Sequence, residues 1–197
     1  MIYSNHMVIK RRYNPPLGLI LLFSFILMGC PENEYSDACR NQWKVMPVSD
    51  LVTIRPLQEV YHLGDSMTVE ISIDSQSDFF DEPVDIYEYT LAEEVRMLGG
   101  LNLQGENELY ENNFSVSEGD LRLNDGSQGV YLLYDPDDDK YKFKIIFEFT
   151  EVGEYRIPNN FDFQFSGEYL CQFVWLKDSD ILGIPDNQSY FTFNVVP

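Results

Sequence analysis

After its first thirty residues the chain holds one histidine, His62. Any Ser-His-Asp relay would rest on it, and no Gly-x-Ser-x-Gly elbow exists to supply the serine. His62 sits beside Gly64-Asp65 and reads as a structural residue at a turn. A tetrahedral zinc site needs three or four His, Cys or carboxylate ligands. It could be assembled only by forcing His62, Cys39 and Cys171 together. Asp135, Asp137 and Asp139 have the 1, 3, 5 spacing of an EF-hand loop. That loop requires Gly at its sixth position and Glu at its twelfth. Here those positions are Lys140 and Ile146, so the motif fails. Asp78, Asp81 and Glu82 are further hard oxygen donors for a looser calcium site, set against a plain solvated acidic turn.

Glycoside hydrolysis asks only for two carboxylates about 5–9 Å apart in a cleft. With 33 acidic side chains some pair meets that spacing by chance, so the count decides nothing. Trp43, Tyr131 and Trp175 could stack on sugar rings, although the apolar alternation around Trp175 points to a core role. There is no phosphate-binding Gly loop and no dinucleotide fingerprint. The formal charge of -20 opposes any partner built on phosphates, so nucleic acid is excluded. The residues imply no enzyme, no cofactor and no metal site.

The elements that would position these residues begin with an export segment. Lys10, Arg11 and Arg12 precede the uncharged run Leu17–Met28. Twelve residues fall short of the roughly 20 that span a bilayer. The order, basic then apolar, is that of a signal peptide. The run closes Leu27-Met28-Gly29-Cys30, which resembles the lipobox of bacterial lipoproteins. Met28 is bulkier than the family's usual residue at that position. The resemblance implies that residues 1–29 are removed and that Cys30 is acylated and becomes the anchor to the lipid bilayer. An ordinary secretion signal and a retained anchor helix are the alternatives. Pro31, where an Asp would resemble an inner-membrane retention signal, leans the assignment toward the outer membrane.

Residues 30–38 then form a short polar tether, and residues 39–197 a single domain. Removing the leader leaves ten basic against 33 acidic side chains, a formal -23. Such a surface repels anionic headgroups, so the acyl chains hold the protein while the body stands off the membrane. With Cys30 acylated, Cys39 and Cys171 remain. In an oxidising compartment they are expected to pair, with two buried thiols as the alternative.

The body reads in period two. Met67, Val69, Ile71 and Ile73 share one face of a strand, fed by a Gly64-Asp65 turn that resembles the opening of bacterial immunoglobulin-like domains. Val52–Arg55 is an edge strand stopped by Pro56. Val84–Leu91 is expected to be a long strand, residues 92–98 two helical turns, and most of 99–128 a loop-rich insertion holding a short strand at Leu121–Gly126. Gly129–Tyr134 and Tyr141–Phe149 form a hairpin with an acidic turn. Phe149 to Tyr155 resembles the Phe-x-x-x-Gly-x-Tyr phrase of sandwich domains, with Val152 added. Phe161–Phe165 and Tyr190–Val196 alternate again, Tyr169, Cys171, Phe173 and Trp175 share one face, and Lys177–Asp180 is a surface loop. Eight to ten strands predict an all-β fold, an immunoglobulin-like β-sandwich with an enlarged middle insertion, with a jelly roll or barrel as the alternative. The function expected is a membrane-anchored, non-catalytic binding or structural module of the bacterial envelope. Its partner would be an envelope protein or glycan. The alternative is a surface carbohydrate-binding or glycoside-hydrolysing accessory protein.

Overall fold

The computed structural model describes residues 43–78, 80, 82–99, 101, 112–124, 127–167 and 171–197. The chain divides into units 1–37 and 38–197, and the described residues all belong to the second. Cys30, Cys39, the leader and the tether lie outside them.

The fold is all-β. The first strands are β1 (Trp43–Pro47), β2 (Val52–Arg55), β3 (Val60–His62), β4 (Ser66–Asp74), β5 (Gln76–Ser77) and β6 (Val84–Asp85). A five-residue helix follows, α1 (Ile86–Thr90), then β7 (Glu94–Leu98), β8 (Asn113–Glu118), β9 (Asp120–Asn124), β10 (Ser127–Asp135) and β11 (Lys140–Glu148). The last strands are β12 (Gly153–Pro158), β13 (Phe161–Ser166), β14 (Phe173–Ser179) and β15 (Tyr190–Val196).

Ten strands form one sheet in the order β1-β14-β13-β7-β10-β11-β4-β2. β8 and β9, joined through Gly119, enter its middle, β8 pairing with β11 and β9 with β10. The sheet curls until its two ends approach. The Val52 N–H donates to the Asp180 C=O at 3.4 Å, and the Leu182 N–H donates to the Val52 C=O at 2.8 Å. This joins β2 to the chain leaving β14, giving a sandwich or barrel-like class. A second sheet, β12-β15-β3, and the two-stranded pair β5-β6 complete the described body.

One-sided alternation explains the core. Met67, Val69, Ile71 and Ile73 on β4 are buried, as are Tyr141, Phe143, Ile145 and Phe147 on β11. These two strands pair over nine residues, so their apolar faces point the same way. Each such side chain contributes about 1.5–3 kcal/mol on burial. At one end Tyr61, Phe149, Tyr155 and Phe193 pack ring to ring at 4.9–5.9 Å, tying the second sheet to the first.

Four expectations fail. Val84–Leu91 is two residues of strand followed by α1. Asp85 caps the helix, its carboxylate accepting the Glu88 N–H at 2.8 Å, and Ile86 and Thr90 are buried one turn apart. Residues 94–98 are a strand instead of helical turns. Val95 and Met97 are both buried, which is period two, and the strand pairs with β10 and β13 on its two sides. Residues 113–118 and 120–124 are the strands β8 and β9, where mostly loop was expected; residues 102–111 lie outside the description. Lys177–Ser179 belong to β14, with Ser179 and Asp180 buried, so no surface loop stands there.

Candidate functional site

β1 and β14 run parallel at one end of the large sheet, with Trp43 opposite Phe173 and Val45 opposite Trp175. Opposed residues share a face, so the two tryptophans come together. Ring centroids are 5.1 Å apart for Trp43 and Phe173 and 6.4 Å for Phe173 and Trp175. Trp43 is 41% exposed and Val45 44%, making an open apolar patch. The Lys177 ammonium stands 3.7 Å from the Trp175 ring centroid and covers one face of it.

The core role expected for Trp175 is therefore corrected. Val174 and Leu176 fill the core, and Phe173 and Trp175 occupy the outer face, half-buried. A strand that is apolar on both sides has no phase legible from its own residues. Among the described residues the buried Trp175 indole Nε1 has no hydrogen-bond partner, nor has the Gln172 Oε1. Tyr131 lies apart on β10. The Arg122 guanidinium stacks on it at 4.0 Å and pairs with Glu94 and Asp120, which raise the pKa of that arginine further.

The backbone of β1 is as informative as its side chains. The Val48 N–H donates to the Lys177 C=O at 2.9 Å. In a parallel ladder alternate residues bond to one neighbour. Met46 and Lys44 thus turn their backbone groups to β14, and Val45 and Trp43 turn theirs outward. Along this edge runs a cavity of about 440 Å³ lined by Trp43, Lys44, Val45, Met46, Phe80 and Glu82. The Lys44 ammonium is held over the Phe80 and Tyr89 rings, 5.6 and 5.4 Å from their centroids. Burial raises the pKa of the Tyr89 phenol.

Other candidates resolve structurally. His62 is exposed on β3; its backbone N–H donates to the Asp65 carboxylate at 2.7 Å, and its Nδ1 lies 3.7 Å from the same oxygen. The acidic turn is closed by the chain's own groups. Lys142 Nζ pairs with Asp135 at 2.8 Å and with Asp138, and the Tyr134 hydroxyl donates to Asp139 at 2.8 Å. Among the described residues no group of three His, Cys, Asp or Glu side chains is arranged to hold a metal. Asp78 and Glu82 are exposed, and Asp81 lies outside the description.

A second cavity of about 430 Å³ was not anticipated from sequence. It is lined by Asp178, Asp180, Asp186 and Asn159 among others, where the sheet closes. Its polar groups serve the fold. Asp180 accepts the Asp50 N–H at 2.7 Å, and Asn159 accepts the Ile181 N–H and donates to the Gln188 C=O. Cys171 lies in the turn before β14, half-buried, and its sulfur is engaged. Compared with known proteins, the chain matches no family model, no curated protein and no solved structure.

Proposed function

We propose that the protein is a lipid-anchored, non-catalytic binding or structural module of the bacterial cell envelope. Its leader, Lys10–Arg12 followed by Leu17–Met28 and Gly29-Cys30, supports export and acylation of Cys30. Pro31 supports the outer membrane over the inner. The body is read as an immunoglobulin-like sandwich with an enlarged middle. Supporting this, the Tyr155 hydroxyl donates back to the Glu151 C=O at 3.0 Å, as tyrosines do at the corners of such sandwiches. Cys39 and Cys171 are proposed to be bridged. Alkylation after denaturation without reductant should then leave both unmodified, and modification of both would refute the bridge.

One observation carries the reading. Cys30 stands thirteen residues before Trp43, and β1 presents an exposed apolar patch and an edge that is unpaired among the described residues. An envelope protein or glycan is the partner such a surface serves. The test is metabolic labelling with a tagged fatty acid. Wild type should be labelled and Cys30→Ala should not; equal labelling of both refutes the anchor.

Carbohydrate binding is the second reading. It is favoured by the open Trp43 ring and by the Trp175 N–H without an acceptor, a group that costs about 1–3 kcal/mol to bury alone. Trp43→Ala should then abolish retention on envelope polysaccharide while leaving the fold intact.

A further inference from the structure

We infer that the open edge of β1 accepts an extended, basic polypeptide strand from another envelope protein. This rests on the binding-module reading and names its partner class. Of the two ends of the large sheet, β2 is already bonded to Asp180 and Leu182, whereas β1 pairs only with β14 among the described residues. An unpaired edge is a template for strand addition, and proteins guard such edges with outward charge, bulges or cover. Among the described residues β1 shows none of these three guards. Trp43 and Val45 are exposed and apolar, and the one charge, Lys44, is held over Phe80 and Tyr89. Pro47 limits the edge at one end, having no N–H to offer.

The cavity follows the same residues. It is lined by four residues of β1 together with Phe80 and Glu82. Outward N–H and C=O groups of Val45 and Trp43 line a slot in which a strand finds both backbone partners and apolar contacts. Five residues of β1 span about 16 Å, enough to register a short segment.

Charge selects the occupant. A second copy carries the same -20 and is repelled, whereas a segment rich in Lys and Arg is attracted and meets Glu82 at the rim. A lipid surface provides no ladder for the exposed backbone groups.

The full chain in detergent is titrated with an eight-residue peptide of alternating Val and Lys. A second peptide is the same sequence N-methylated at every other residue, with equal charge but one bonding edge blocked. Amide hydrogen exchange at Val45 and Trp fluorescence are followed. The first peptide should slow Val45 exchange at least tenfold and saturably, and the second should not. Val45→Pro removes the outward N–H without touching the bonds of Lys44 and Met46 to β14. It should weaken peptide binding at least tenfold at unchanged Tm. Val45→Lys, which guards the edge by charge, should do the same if the proline variant misfolds. The inference is overturned by equal protection from both peptides, by protection from neither, by a dimer that protects Val45 without peptide, or by zwitterionic vesicles that produce the protection instead. Fatty-acid labelling of Cys30 with no peptide effect refutes the edge alone; the reverse pattern refutes the anchor alone.

Discussion

Gly119, the residue that links β8 to β9, lies directly against Phe143: a Cβ built on it would stand 2.7 Å from the Phe143 ring and 2.7 Å from the Tyr131 carbonyl oxygen. Here β10 and β11 diverge, and the chain passes from β8, paired with β11, to β9, paired with β10. The Gly119 φ of +78° is a conformation that L side chains rarely adopt. Gly119→Ala therefore meets backbone strain and overpacking together, about 2–4 kcal/mol. For a body of this size that lowers Tm by roughly 5–15 °C. Chemical denaturation of the two proteins checks this, and a difference within about 0.5 kcal/mol would show that the wedge is loose.

The strands that could be read from the sequence are those with one wet face. β4 and β11 show it over nine residues each, and both lie where alternation put them. β7 offers only Val95 and Met97, too few to set a period, because its neighbours on both sides supply the rest of its environment. The site was legible only in part. Trp43 and Trp175 were singled out as rings, but they are 132 positions apart. Their meeting depends on a parallel pairing of β1 with β14 that no local pattern encodes. The edge groove had no signal at all, since it consists of backbone that the strand order leaves unpaired among the described residues.

α1 is too short to stand alone and depends on its cap. Asp85 accepts the Glu88 N–H at 2.8 Å, the Ser75 hydroxyl at 2.9 Å and the Gln76 side-chain amide. Ser75 Oγ in turn accepts the Tyr87 N–H at 3.1 Å. Asp85→Ala is expected to cost about 1–2 kcal/mol, and Asp85→Asn, which keeps an acceptor, clearly less. Equilibrium urea melts decide it; equal losses in both variants would assign the effect to charge and not to capping.

Tyr61 makes the body sensitive to alkali. Its ring is fully buried and its hydroxyl donates to the Pro56 C=O. Burial, with a smaller contribution from Asp65, pushes the phenol up to about 12. The unfolded phenol ionises near 10, so between about pH 10 and 12 the unfolded chain binds fewer protons. Stability is full below pH 10 and falls as pH rises through that window, by on the order of 2–3 kcal/mol. Tyr141, also buried and shifted upward, acts in the same direction. Tyr61→Phe should flatten this part of the stability–pH curve, with a loss at neutral pH from the missing hydrogen bond. An unchanged alkaline slope would remove Tyr61 from the account.

The acidic turn of the β10–β11 hairpin is the remaining place where an ion could matter, and its own lysine occupies that role. Lys142 Nζ lies 2.8 Å from Asp135 and also pairs with Asp138. Its ammonium holds the Asp135 carboxyl below the usual carboxylate range, and the Asp137 N–H adds to this at 3.0 Å. The Tyr134 hydroxyl, raised to about 12 by its hydrogen bond to Asp139, stays protonated and serves that third carboxylate. The Asp135 contribution is thus present above about pH 4 and is lost as pH falls further. These groups are largely exposed, so salt weakens the pairing. Thermal melts of the full chain should therefore be the same with and without millimolar Ca²⁺. Lys142→Met leaves Asp135 and Asp138 facing each other unneutralised; it should lower stability at pH 7, and less in acid, where the contribution of Asp135 is lost in the wild type as well. A micromolar calcium site in the wild type, lost when Asp137 and Asp139 become Asn, would overturn this and make the turn an ion-binding loop.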